Sequence, residues 1–137
     1  MNSLIDVNEA CLQQGIELLR SLPSALYTAP CRTIFNSTMG NHIRHNLDHY
    51  AAFLENYSTG NVDYDARERN PRIEQDPGEA ILCMEELLNQ FAVLRQCNLE
   101  GRLRVRMDDG GEALWTDSSV TRELQFLLSH TVHHYAL

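Results

Sequence analysis

The sequence predicts an all-α protein, a four-helix bundle, on three observations. Four segments repeat apolar residues at three- and four-residue steps, as amphipathic helices do. Prolines and capping residues punctuate those segments. The chain of 137 residues, 43% apolar and 22% charged, has the size and composition of one domain, 1–137, around one hydrophobic core.

The first predicted helix covers 4–22, with Leu4, Val7, Cys11, Leu12, Leu18, Leu19 and Leu22 in step, and Pro23 ends it. The following PSALYTAPCRTIFNST holds two prolines and many small polar residues and reads as a loop. Ser37 or Thr38 can cap a second helix running to about Tyr57, with Ile43, Leu47, Tyr50, Ala51 and Leu54 on one side.

STGNVDYDARERNPRIEQD, residues 58–76, is highly charged and has no sustained period. A connection of that length predicts a crossover between the second and third helices. Asp76-Pro77-Gly78-Glu79 then starts the third helix with a cap, a proline and an acid in the first turn. Ile81, Leu82, Met84, Leu87, Leu88, Phe91 and Leu94 carry that helix to about Cys97.

RLRVRMDDGGEALWT alternates Leu103, Val105 and Met107 before a turn at Asp109-Gly110-Gly111, and Ala113 and Trp115 after it. That pattern predicts a small β-hairpin lying against the helices. A fourth helix begins near Asp117 or Ser118 and runs into the terminal histidines.

Charge narrows the partners. Eleven Lys and Arg against 19 Asp and Glu give −8, the wrong sign for nucleic acid or an anionic membrane surface. No apolar run reaches the roughly 18 residues a membrane span needs. MNSLIDVNEA lacks the basic start and apolar stretch of a secretory signal, so a cytoplasmic protein is expected. Cys11, Cys31, Cys83 and Cys97 form no CxxC pair and read as buried thiols of a reducing compartment.

The chemistry lies in the histidines. All six fall in two stretches, 42–49 and 130–134. On a helical wheel His130 and His134 fall within the apolar stripe of the last helix, and His133 sits at its edge. An i, i+4 pair has Cβ atoms about 5–6 Å apart, so both rings can reach one cation. His42, His45 and His49 share one side of the second helix, His42 nearest the core and His45 furthest round. One of these should supply a third nitrogen. Such a three-nitrogen site keeps an open position, where a bound water would have a pKa near about 7. The competing reading is surface or hydrogen-bonded core histidines. Glu123, seven residues before His130, could orient a ligand or serve a substrate, or be a structural acid. Tyr50 and Tyr57 could donate to a substrate or simply pack in the core.

TMGNHIRHNLDHYAAFL, VDYDARERNPRIEQD and TRELQFLLSHTVHHYAL resemble a branch of the DinB-like superfamily. That group includes the YfiT-type metal hydrolases and mycothiol-dependent isomerases. The resemblance covers most of the chain from Ser37 onward. It is most specific in the GxHxRHxxD stretch, the YDxRxR linker and the HTxHH end.

The resemblance implies an up-down-down-up bundle. It also implies a divalent metal (zinc, nickel or iron) held by one histidine of the second helix and a pair on the last. Residue by residue, those ligands map to His45, ahead of Leu47 and Asp48, and to His130 and His134. The wheel alone prefers His42 or His49 for the first of them. The implied activity is that of a hydrolase, or of a transferase or isomerase using a low-molecular-weight thiol. A small-molecule substrate and a homodimer are implied with it. Members usually continue past the HTxHH motif, so the end at Leu137 suggests truncation. The alternative is a non-catalytic, stress-associated bundle that binds a metal or a partner, its site closed by His42 or His49 as a fourth ligand.

Overall fold

A computed structural model describes residues 2–31, 36–65, 70–107 and 114–136. In chain order the elements are α1 (Asn2–Ser21), α2 (Ser24–Tyr27), α3 (Met39–Asn56), a 3-10 turn (Tyr57–Thr59) and β1 (Asn61–Asp63). Then follow α4 (Pro71–Gln75), α5 (Pro77–Leu94), β2 (Arg102–Met107), β3 (Leu114–Ser119) and α6 (Val120–Ala136).

The expected all-α four-helix bundle is corrected by this architecture. Among the described residues there are six α-helices and a three-stranded mixed sheet in the order β1-β2-β3. The difference lies in the connections, which supply core. Part of the loop expected after Pro23 forms α2, which buries Tyr27 completely. The supposed structureless crossover holds β1 and α4, and buries Val62, Tyr64 and Ile73. Asn70 starts α4 by accepting the Arg72 N–H at 3.1 Å, with Pro71 at the first helical position.

β1 runs parallel to β2 with Val62 opposite Val105. β2 and β3 form the expected antiparallel pair, from Arg102 opposite Ser119 to Met107 opposite Leu114. The expected turn at Asp109-Gly110-Gly111, with Ala113, lies outside the described residues. So do residues 66–69 of the YDxRxR linker, and Leu137. Asp117 and Ser118, expected to start the last helix, belong to β3. Ser119 accepts the Arg122 N–H at 3.1 Å instead, at the start of α6.

Local chemistry sets the long helices. Thr38 caps α3 in a reciprocal capping box with Asn41, each backbone N–H reaching the other side chain at 3.0 Å. Asp76 caps α5 through the Gly78 N–H at 2.9 Å. α1 buries Ile5, Leu12, Ile16 and Leu19 and leaves Val7 and Leu18 exposed. That face is rotated from the one expected.

α1 packs on α5 and α6, and α3 packs on α4, α5, α6 and β1. At Gly40 the approach of α4 is so close that a Cβ would lie 2.0 Å from the Glu74 carbonyl oxygen. Tyr27 of α2 fastens the same corner, its hydroxyl donating to the Ile73 carbonyl at 2.5 Å.

None of the four cysteines is in a disulfide. Cys11 is buried, Cys83 is half-buried, and Cys31 and Cys97 are exposed, against the expectation of buried thiols. Among the described residues no helix is long and apolar enough to cross a membrane.

Candidate metal centre

α3 carries His42, His45 and His49, and α6 carries His130, His133 and His134. A buried polar layer fixes how these helices meet. Thr131, next to His130, places its hydroxyl 3.0 Å from Asn46 Oδ1, 3.0 Å from the Tyr50 hydroxyl and 2.7 Å from the Leu127 carbonyl. Tyr50 donates to Asn8 Oδ1 of α1 at 2.6 Å. Asn8 Nδ2 in turn donates to the carbonyls of Leu4 at 2.8 Å and Leu124 at 3.2 Å. Tyr50 is thus a bolt in the core, joining α1, α3 and α6. Because Asn46 and Thr131 each follow a histidine, their contact sets the imidazoles of one helix against those of the other.

The outcome is a cluster of imidazoles. Ligand nitrogens of His45, His49 and His130 all lie within 4.8 Å of one another, close enough to bind one metal ion. The His49 and His130 ring centroids are 4.2 Å apart, and those of His45 and His130 are 5.0 Å apart. His134 stands beside them, its Nε2 3.1 Å from His130 Nε2 and its Nδ1 3.1 Å from His42 Nδ1. His133 is exposed, and among the described residues its ring contact with the cluster is with His134.

Of the expected ligands, the structure brings His45 and His130 into one triad with His49, and sets His134 against His130. His49 was readable only as one of three candidates on its helix. It is buried to 7%, and part of its cover comes from Tyr64, a residue just past β1 that stacks on its ring at 5.3 Å. A periodicity argument confined to α3 does not contain that cover.

Second contacts orient the rings. His49 Nδ1–H donates to the His45 carbonyl at 2.9 Å, which leaves Nε2 to face a ligand. Tyr64 donates to Glu123 Oε1 at 2.6 Å, and Ser118 donates to Glu123 Oε2 at 2.5 Å. Glu123 therefore reaches the cluster indirectly, through the phenol stacked on His49. Burial, then the Glu123 charge, push the Tyr64 hydroxyl far above its ordinary range. Asp48 pairs with Arg44 at 2.9 Å, and Arg44 also meets Glu74. The Tyr57 hydroxyl lies 3.5 Å from Cys97 Sγ.

The electrostatics suit a cation binder. Burial first, then the neighbouring His49, His134, His45 and His133, lower the His130 pKa to about 3. Burial, then His45, His42 and His133, lower that of His134 to about 4. Both rings are neutral at pH 7, the form that donates a lone pair to a metal. Two buried ring nitrogens, His130 Nδ1 and His42 Nε2, have no hydrogen-bond partner among the described residues. Such orphans are uncommon in a finished interior and fit a site built for a ligand. A cavity of about 530 Å³ adjoins the cluster at His42 and His134.

No family model matches the chain, and neither the curated proteins nor the solved structures compared with it give a match.

Proposed function

We propose that this protein is a divalent-metal-dependent enzyme of the DinB-like group, with His45, His49 and His130 as the protein ligands. One observation carries the reading: three imidazole nitrogens from two helices lie within 4.8 Å of one another. Nitrogen ligands suit zinc, nickel or iron better than calcium or magnesium. A cation held there would supply Lewis acidity to a small-molecule substrate or a low-molecular-weight thiol. Hydrolysis and thiol-dependent transfer are the two chemistries this reading allows.

The chain's own residues do the positioning. The His45 carbonyl fixes the His49 tautomer, and Tyr64 holds that ring in place. The neutral His134 imidazole stands between the triad and the cavity, where it can accept or return a proton. Tyr50, Tyr64 and Glu123 are engaged in structural hydrogen bonds, so a side-chain nucleophile plays no part in this reading.

A second reading has one observation in its favour. The 3.1 Å between His134 Nε2 and His130 Nε2 would let His134 close the shell as a fourth ligand, giving a non-catalytic metal-binding domain. Elemental analysis of untagged protein separates the two. Under the first reading His45→Ala, His49→Ala and His130→Ala lose bound metal and His134→Ala retains it. Under the second His134→Ala loses it too. Wild-type protein free of metal after purification without chelator would remove both.

A further inference from the structure

We infer that the cavity beside His42 and His134 binds an uncharged organic molecule with an apolar body, its polar end turned toward the imidazoles. The inference rests on the metal-dependent reading above and names the class of substrate for that same site.

Four observations converge. The volume, about 530 Å³, falls within the roughly 300–1,000 Å³ of small-molecule pockets. The outer wall is apolar and open to solvent: Leu18 is 44% and Leu26 54% exposed, and both line the cavity. Exposed leucines that converge on one concavity form an apolar surface suited to a ligand. Met39 and Ile43 extend that wall inward. No Asp, Glu, Lys or Arg is among the described residues that line it, although the chain as a whole carries −8. Among those described residues a charged occupant would find no counter-ion, at a desolvation cost an uncharged one escapes.

The inner end supplies the polarity. His42 and His134 line it, and His42 Nε2 is a buried nitrogen with no partner among the described residues. A hydroxyl or carbonyl head would meet the imidazole rings of His42 and His134 at that end. His134 also faces His130, so a head seated there lies beside the metal triad.

The test uses cobalt-loaded protein and three hydroxamic acids whose heads ligate metals. Octanohydroxamic acid, with an uncharged chain, should bind about tenfold or more tighter than acetohydroxamic acid, read by the visible cobalt bands. Suberic monohydroxamic acid, with a carboxylate at the far end, should gain little over acetohydroxamic acid. Leu18→Asp and Leu26→Asp alter exposed positions and should erase the octyl gain, with cobalt content and acetohydroxamic acid binding unchanged. An octyl chain that adds no affinity, or whose gain survives both substitutions, overturns the inference. So does a carboxylate-terminated chain that binds as well as the octyl one. If the protein takes up no cobalt, the metal reading fails separately. The cavity is then judged with the neutral fluorophore N-phenyl-1-naphthylamine: one-to-one binding weakened by the same substitutions supports it, and no binding overturns it.

Discussion

The Tyr64 ring lies on the His49 ring with 5.3 Å between centroids and 22° between planes, a stacked pair. This contact joins the segment after β1 to the imidazole cluster, and the Tyr64 hydroxyl continues it to the buried carboxylate of Glu123. The two functions of Tyr64 can be separated. Tyr64→Phe keeps the stacking face but leaves Glu123 with Ser118 as its side-chain donor among the described residues, and should cost about 1–3 kcal/mol of stability. Metal affinity should change little. Tyr64→Ala removes the face as well, and should also weaken metal binding by about 10- to 100-fold, as loss of an orienting partner does. Urea denaturation and metal titration of both variants check this.

Histidine substitutions should sort by position in the cluster. His49→Ala should lose most bound metal although its helix offers two other imidazoles, because its nitrogen is one of the three that converge. His133→Ala should keep wild-type metal content, since that ring is exposed and its ring contact among the described residues is with His134, outside the triad. Elemental analysis after gel filtration reads both. Equal loss in the two would mean that metal is held nonspecifically by the terminal histidines.

Stability of the metal-free protein should fall on acidification. His130 and His134 have folded pKa values lowered from 6.5 to about 3 and about 4. Below about 6.5 the unfolded chain therefore takes up protons at these rings and the folded chain does not. Unfolding is then favoured progressively as pH drops from about 6.5 towards 4, and stability is independent of these groups above that window. His130→Gln should flatten the dependence. Urea midpoints of chelator-treated protein across pH 4 to 8 measure it.

Packing at two points should be intolerant. Gly40→Ala drives a Cβ to within 2.0 Å of the Glu74 carbonyl oxygen, a backbone atom that cannot swing aside. The helices must part, at a cost of about 1–3 kcal/mol. Thr131→Val removes the hydroxyl shared by Asn46, Tyr50 and Leu127, and should cost about as much. The two should differ in metal affinity. Gly40→Ala should leave it nearly unchanged, and Thr131→Val should lower it, because only Thr131 sets the meeting of α3 and α6. Thermal melts paired with metal titration test the contrast.

Local signals in the sequence carried the long helices and failed on what lies between them. Thr38 and Asp76 mark the starts of α3 and α5 as the capping rules require, and the alternation around 103–115 marks the β2–β3 pair. β1 left no such mark. It is three residues long, and its partner Val105 lies far along the chain from Val62, so neither period nor turn chemistry announces it. α4 has five residues, too few to show a helical repeat. With those pieces unseen, the 58–76 connection read as a crossover and the fold as a four-helix bundle with one hairpin. The candidate site divides in the same way. That histidines of two segments should converge was legible from their confinement to 42–49 and 130–134. Which ring of α3 joins the triad was not, because its neighbours Tyr64, Phe126 and His130 come from outside that helix.

The bond from His49 Nδ1–H to the carbonyl of His45 has a further consequence. It ties one donor of the triad to the backbone that carries another, so orienting that ring is completed when the chain folds. Ion capture then has less disorder left to remove, and the domain behaves as a preset clamp, unlike a peptide that acquires its shape only around its ion.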